Sequence, residues 1–182
     1  MGFKFEKLEV WQKSIDLTFN IHELTKEILV MNETKYGKYI ITELKNNLIK
    51  PAWNKGVEKP DEGRSVLHLD SEVLEGAFYV GCKWFWPRII SPVPLAERPN
   101  AIIPHKHDFD EVLAAFGSNP EDPHDLCGEL EVWLGNEKHI ITKSFIIFIP
   151  KGLMHGPIGF NRIDKPIFHL SCGPSQMYSG QM

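Results

Sequence analysis

Beyond Ser65 the sequence changes period: apolar residues recur at every second position, and Gly, Pro, Asn and Asp interrupt them at short intervals. A segment that alternates in this way buries one face, and many short segments of that kind in succession fit a β-sandwich or a closed β-barrel. The alternation predicts strands at 66–70, 77–86, 100–107, 110–116, 129–134, 138–142, 145–149 and 166–172, with Gly135-Asn136-Glu137 as the turn of one hairpin. Two of these strands are apolar on both faces. In one, Phe78, Val80, Cys82, Trp84 and Trp86 alternate with Tyr79 and Phe85; in the other, Phe145, Ile147 and Ile149 alternate with Ile146 and Phe148. An outward apolar face on an antiparallel sheet needs a cover, so either the N-terminal segment or a second subunit is expected there.

The same region carries His105-Lys106-His107-Asp108-Phe109-Asp110-Glu111 and, later, Pro150-Lys151-Gly152-Leu153-Met154-His155. On an extended strand His105 and His107 project from one face, with tips about 7 Å apart. A short turn then returns Glu111 at the start of the next strand, and a later strand brings His155 in from the side. Three imidazole nitrogens and one carboxylate oxygen suit a single divalent iron, manganese, nickel, cobalt or zinc ion, and leave positions open on an ion that prefers six ligands.

These two segments resemble the paired motifs of the cupin superfamily, the first built on HxH followed by a glutamate and the second on PxG followed by a histidine. His105, His107 and Glu111 match the ligands of the first motif, and Pro150, Gly152 and His155 match the second. The motif glycines are replaced by Pro99, Ser118 (with Gly117 one residue early) and Ser144. Glycines set turns, so these departures bear on local geometry and not on the ligand set. The resemblance implies a mainly β chain, a cupin-type antiparallel jelly-roll barrel, with one divalent transition metal ion held by His105, His107, Glu111 and His155. Residues 36–178, including the loop 117–128 and the ending Gly173 to Tyr178, are also similar to a group of uncharacterised bacterial and archaeal cupins, a likeness that supplies no reaction.

Residues 5–30 contain no Pro or Gly and predict an N-terminal α-helix with two apolar stripes on opposite sides. Residues 3–27 resemble the first helix of the four-helix-bundle proteins of ribosomal-RNA intervening sequences, although the other three helices are missing. The expected organisation is an appended helix at 1–30 followed by a cupin barrel with an N-terminal arm at 31–182. At the start of the second unit, 34–64 reads as loops around Pro51, Gly56, Pro60 and Gly63, with room for one short strand or helical turn at Ile40 to Leu48.

Several further residues have two readings. Trp84 and Trp86 share a face and are candidates for an aromatic pocket wall, as is His169 on the last strand; core packing competes for all three. Lys106 faces away from the ligands. Asp108 and Asp110 are turn carboxylates that either meet solvent or bond to an imidazole. His124 and Asp125 form either a catalytic pair or part of a solvated loop, while His22, His68 and His139 lie outside both motifs and read as surface or packing residues. Cys82, Cys127 and Cys172 are widely spaced and suit reduced thiols.

A net charge of -4 without a long basic run argues against nucleic acid and anionic membranes as partners. No apolar run reaches the roughly 20 residues of a membrane span, and a cytoplasmic location is expected. A GxSxG elbow, a phosphate-binding loop and a dinucleotide fingerprint are all missing. The sequence therefore points to a homodimeric metalloenzyme acting on a small oxygenated organic molecule by dioxygenation, isomerisation or decarboxylation, with catalytic groups beyond the metal ligands unassigned. The alternative is a noncatalytic small-molecule or metal-responsive binding module.

Overall fold

The structure, a computed structural model, describes residues 13, 17, 34–48, 51–54, 59–90, 92–99 and 101–182. The helix expected over 5–30 thus lies outside the described residues apart from Lys13 and Leu17, as does His22. The likeness of 3–27 to a bundle helix finds no support. The chain divides into two compact units, 1–41 and 42–182, a division that falls later than residue 31. In the first, Gly37–Tyr39 makes a 3-10 turn closed by the Ile40 N–H donating to the Gly37 carbonyl at 2.9 Å.

The second unit is mainly β. Its strands are β1 (Gly63–Leu69), β2 (Tyr79–Phe85), β3 (Glu111–Gly117), β4 (Asp125–Leu134), β5 (Glu137–Lys143), β6 (Phe145–Ile149), β7 (His155–Ile163) and β8 (Ile167–Gly173). They form a five-stranded sheet in the order β1-β2-β8-β3-β6 and a three-stranded sheet in the order β5-β4-β7, with every pairing antiparallel. Ala115 and Ile167 from the larger sheet meet Leu126, Leu130, Val132, Phe160 and Ile163 from the smaller in one buried cluster. The hairpin turn is Gly135-Asn136, with Leu134 opposite Glu137 and Gly135 at φ 60°.

Two strand expectations need correction. Of the segment expected as a strand, the described residues 101–107 form none: Pro104 has no N–H to donate, and the segment is held by single bridges from Ile102 to Ile158, His105 to His155 and Lys106 to Gln181. In its place β7 pairs with β4, although Gly156, Pro157 and Gly159 hide its alternation. Gly117 ends β3 where a Cβ would stand 2.2 Å from the Asp125 carbonyl oxygen, so the long loop after it can return only past a residue without a side chain. In that loop His124 is exposed, and Asp125 accepts bonds from Asn119 and the Cys127 backbone, which makes it a loop-shaping residue and not a partner of His124.

The strand register sorts the larger sheet into two faces. One carries the rows Tyr79-Gly173-Glu111-Ile149, Gly81-Ser171-Leu113-Ile147 and Lys83-His169-Ala115-Phe145. The other carries Val80-Cys172-Val112-Phe148, Cys82-Leu170-Ala114-Ile146 and Trp84-Phe168-Phe116. On this second face Ile146 and Phe148 of the edge strand β6 and Phe116 of its neighbour β3 are 70%, 60% and 43% exposed, an apolar patch at the edge of the sheet.

Just past β1, Asp70 is almost wholly buried and collects four donors. Lys45 Nζ lies at 2.6 Å, His68 Nε2 at 3.0 Å, and the backbone N–H groups of Glu72 and Val73 at 3.0 and 3.1 Å. The last two close the turn that carries the chain toward β2.

Candidate metal centre

His105 and His155 face one another as a narrow antiparallel pair, each N–H donating to the other's carbonyl at 2.9 Å. The pairing puts their imidazoles on one side, with ring centroids 4.2 Å apart. His107 follows two residues later and Glu111 opens β3. The PxG turn is tied to this loop from two directions: the Gly152 N–H donates to the His107 carbonyl at 2.9 Å, and the Lys151 N–H donates to Asp110 Oδ1 at 2.8 Å. Gly152 sits at φ 81°, a conformation that a side chain would strain. Asp110 therefore positions the second motif against the first, while its carboxylate bonds to no imidazole.

All four expected ligands converge. His105, His107, Glu111 and His155 are at most 4% exposed, and the nearest ring nitrogens of the three histidines all lie within 4.8 Å of one another. Each imidazole is anchored through Nδ1 to a backbone carbonyl: His105 to Ile103 at 2.9 Å, His107 to Ser179 at 2.5 Å and His155 to Leu153 at 3.0 Å. A carbonyl only accepts, so Nδ1 carries the proton and a neutral ring turns the Nε2 lone pair inward. Glu111 Oε2 lies 3.3 Å from Nε2 of both His107 and His155, but neither approach is aligned as a hydrogen bond. Three Nε2 atoms and both carboxylate oxygens are thus buried without a hydrogen-bond partner.

Leaving five polar atoms unpaired in one place is costly unless something else satisfies them. A divalent cation does so, since it accepts lone pairs from all four side chains at once. The electrostatics of Glu111 and His105 agree, while at His107 burial is outweighed by Glu111 and the Ser179 carbonyl, which raise it. Burial pushes Glu111 up, but His107 and His155 outweigh it and hold the carboxyl at about 2. Burial, with the neighbouring His155 and His107, takes His105 down to about 4, against the pull of the Ile103 carbonyl and Glu111. Both groups are therefore in their ligating forms at neutral pH.

Aromatic rings close around the cluster. Trp53 stacks on His105 at 4.8 Å, Phe109 on His107 at 4.8 Å, and Tyr178 packs against His107 at 5.2 Å and Tyr79 at 4.4 Å. Burial pushes the Tyr178 phenol up, with Glu111 adding to the effect, and burial likewise raises Tyr79. Both remain hydrogen-bond donors, and Tyr79 pairs with the Ser171 hydroxyl. The segment that brings Tyr178 is fastened by Lys106 and Gln181, which exchange backbone bonds of 2.8 and 2.9 Å.

His105, Glu111 and His155 open onto a cavity of about 740 Å³, within the range of small-molecule sites. His169 lies on its wall. Trp84 and Trp86 do not: they stack on each other at 6.1 Å, and Trp84 packs against Phe168, on the opposite face of β2 from Lys83 and Phe85. Both faces of this strand are apolar, so alternation alone does not say which one turns inward. The interruptions at Gly81 and Lys83 were the signal that it missed. His68 bonds to Asp70 and also reaches the cavity wall, whereas His139 is exposed.

No protein-family model and no curated protein matches the chain. Among solved structures, it is similar to an oxalate oxidase in complex with glycolate, with 18% identity over 82% of this chain and 66% of that one, just under two thirds, at a TM-score of 0.47. It is also similar to an uncharacterised Klebsiella pneumoniae protein with a double-stranded β-helix domain, at 14% identity over 75% of this chain and 92% of that one, TM-score 0.44. A cupin 2 domain-containing protein from Halorhodospira halophila gives 14% identity over 70% of this chain and 72% of that one, TM-score 0.41. Among the described residues no helix is long and apolar enough to cross a membrane.

Proposed function

We propose that the chain is a metal-binding cupin that holds one divalent transition metal ion through His105, His107, Glu111 and His155 and acts on a small oxygenated organic substrate. The observation that carries this reading is the set of five buried lone-pair atoms without a hydrogen-bond partner, brought together from two separate chain segments. When bound, iron, manganese, nickel, cobalt or zinc would polarise a substrate oxygen, and the redox-active members would also exchange electrons with dioxygen. The protein's own part is visible in its side chains. Three backbone carbonyls fix the imidazole tautomers, Glu111 supplies negative charge, and Trp53, Phe109 and Tyr178 exclude water from one side while the cavity admits a ligand from the other.

The test is elemental analysis of protein purified without a metal-binding tag, followed by incubation with small hydroxy, keto and phenolic acids while dioxygen consumption and product formation are followed. About one equivalent of a transition metal with turnover of at least one acid is expected. Metal with ligand binding but no turnover would favour a noncatalytic binding module, and protein that takes up no metal would overturn the reading.

We further propose that a second copy of the chain covers the apolar face carrying Phe148, Ile146 and Phe116. Those side chains share one face of two neighbouring strands, β6 at the sheet edge and β3 beside it, and a symmetric pair buries identical patches against each other. Light scattering at micromolar concentration should give the mass of a dimer, and Ile146→Asp should shift it toward a monomer. A monomeric mass for the unaltered protein would remove the proposal.

A further inference from the structure

We propose that Lys83 and His169 form an anion subsite in the cavity wall, and that the ligand is a small organic acid with a carboxylate at this subsite and an oxygen function directed at the metal centre. The inference rests on reading the His105, His107, Glu111 and His155 cluster as that centre.

Lys83 and His169 are directly opposite one another across β2 and β8, and both line the same cavity as His105, Glu111 and His155. The Lys83 ammonium lies 5.2 Å from the centre of the Phe85 ring, and His169 meets the same ring edge-on at 6.1 Å. One phenyl group therefore supports both. Burial takes His169 down to about 4, with Glu111 opposing and Lys83 adding, so the imidazole is neutral and offers an N–H on the cavity wall that Lys83 also lines. A carboxylate has two oxygens to receive such a pair, one from a charged and one from a neutral donor.

Lys59, Arg88 and Arg98 also line the cavity, and Lys59 pairs with Glu62 at 2.7 Å. Arg98 donates to the carbonyls of Val93 and Phe160 and to Asn161, and Arg88 donates to the carbonyls of Glu62 and Trp86. Position along the sheet then gives the ligand its length. Ala115, beside His169, is four residues from Glu111 on β3, or about 13 Å along the strand. Side chains reaching inward from both ends shorten that gap to several carbon–carbon bonds. The row between them holds Gly81, where an added Cβ would stand 3.2 Å from Ser171 Oγ, so the missing side chain keeps the path open.

The experiment is calorimetric titration of the full chain, metal-loaded and EDTA-stripped, with malonate, succinate, glutarate and adipate, using butyrate and 1,5-pentanediol as controls. At least one dicarboxylate should bind more tightly than either control. Lys83→Met should weaken it about tenfold or more and His169→Gln several-fold, as expected for loss of a charge-assisted and a neutral hydrogen bond. Metal stoichiometry should stay unchanged in both variants, which also shows that they fold; if one does not, the other carries the test. The Lys83→Met effect should persist in the stripped protein. Dicarboxylate binding unaffected by both substitutions, or no dicarboxylate bound by the unaltered, metal-loaded chain, overturns the subsite. A chain that takes up no metal yet still loses dicarboxylate affinity on Lys83→Met would sink the metal centre and leave the anion subsite standing.

Discussion

Alanine at His107 or at His155 is expected to leave a folded protein that no longer retains its metal. Loss of a group that merely orients a ligand lowers metal affinity about 10- to 100-fold, so loss of a ligand itself should exceed about a hundredfold and empty the site during purification. The fold should survive because neither Nε2 makes a hydrogen bond within the protein. What the substitution breaks is one bond from Nδ1, to the Ser179 or the Leu153 carbonyl. A buried carbonyl left unpaired costs about 1–3 kcal/mol, which a domain of ordinary stability tolerates. Glu111→Gln provides a useful contrast: it keeps an oxygen at the site and removes the charge, so it should weaken metal binding without abolishing it. Elemental analysis and thermal unfolding of the three variants decide the matter. Wild-type metal content in both histidine variants would show that the ligand assignment is wrong.

The second large effect is expected far from the metal cluster in sequence. Asp70→Ala removes the acceptor shared by Lys45, His68 and two turn N–H groups, and breaking a buried charged cluster by deleting one partner typically costs about 3–5 kcal/mol. Lys45 keeps Glu72, at 2.5 Å, which places the expected loss toward the lower end of that range. The dependence on pH gives a sharper check. Burial pushes the Asp70 carboxyl up, but Lys45, His68 and the Val73 and Glu72 N–H groups together hold it below its ordinary value of 3.8. A carboxylate lowered in this way stabilises the fold fully above its unfolded pKa, and the contribution disappears as the pH falls through the folded value. Urea unfolding should therefore show a wide gap between wild type and Asp70→Ala near neutrality that narrows only in acid. Equal stabilities near neutrality, or a gap that already closes as pH rises above neutrality, would contradict the role assigned to Asp70.

The four residues of the proposed metal centre were legible in the sequence because their spacing is local. His105 to Glu111 spans one turn, and Pro150 to His155 another, so few conformations had to be assumed. The eight-strand pattern was partly legible for the same reason, except where Pro104 denied residues 101–107 a ladder and where Gly156, Pro157 and Gly159 masked β7. What sequence could not supply was long-range register. Lys83 meets His169 only because β2 lies antiparallel to β8, and a neutral imidazole next to a lysine has no signature in either strand alone. The same gap misplaced Trp84 and Trp86. In a strand that is apolar on both sides, the more polar row was the inward one, because it faces a cavity and not a packed core.

The Ser179 carbonyl that holds His107 has a consequence for the order of assembly. Trp53, His105 and His107, His155, and Ser179 come from widely separated parts of the chain, yet they meet within one cluster. Contacts that distant in sequence form late, since loop closure must precede them. As the chain emerges during synthesis, His105, His107 and Glu111 are made long before His155, and the clamp on His107 comes later still. An ion meeting the nascent chain would find an incomplete and loosely oriented donor set. Under the metal-centre reading proposed above, discrimination among metals would belong to the completed fold, where imidazole positions are already fixed and an ion of the wrong size or geometry could not recruit the side chains to suit itself.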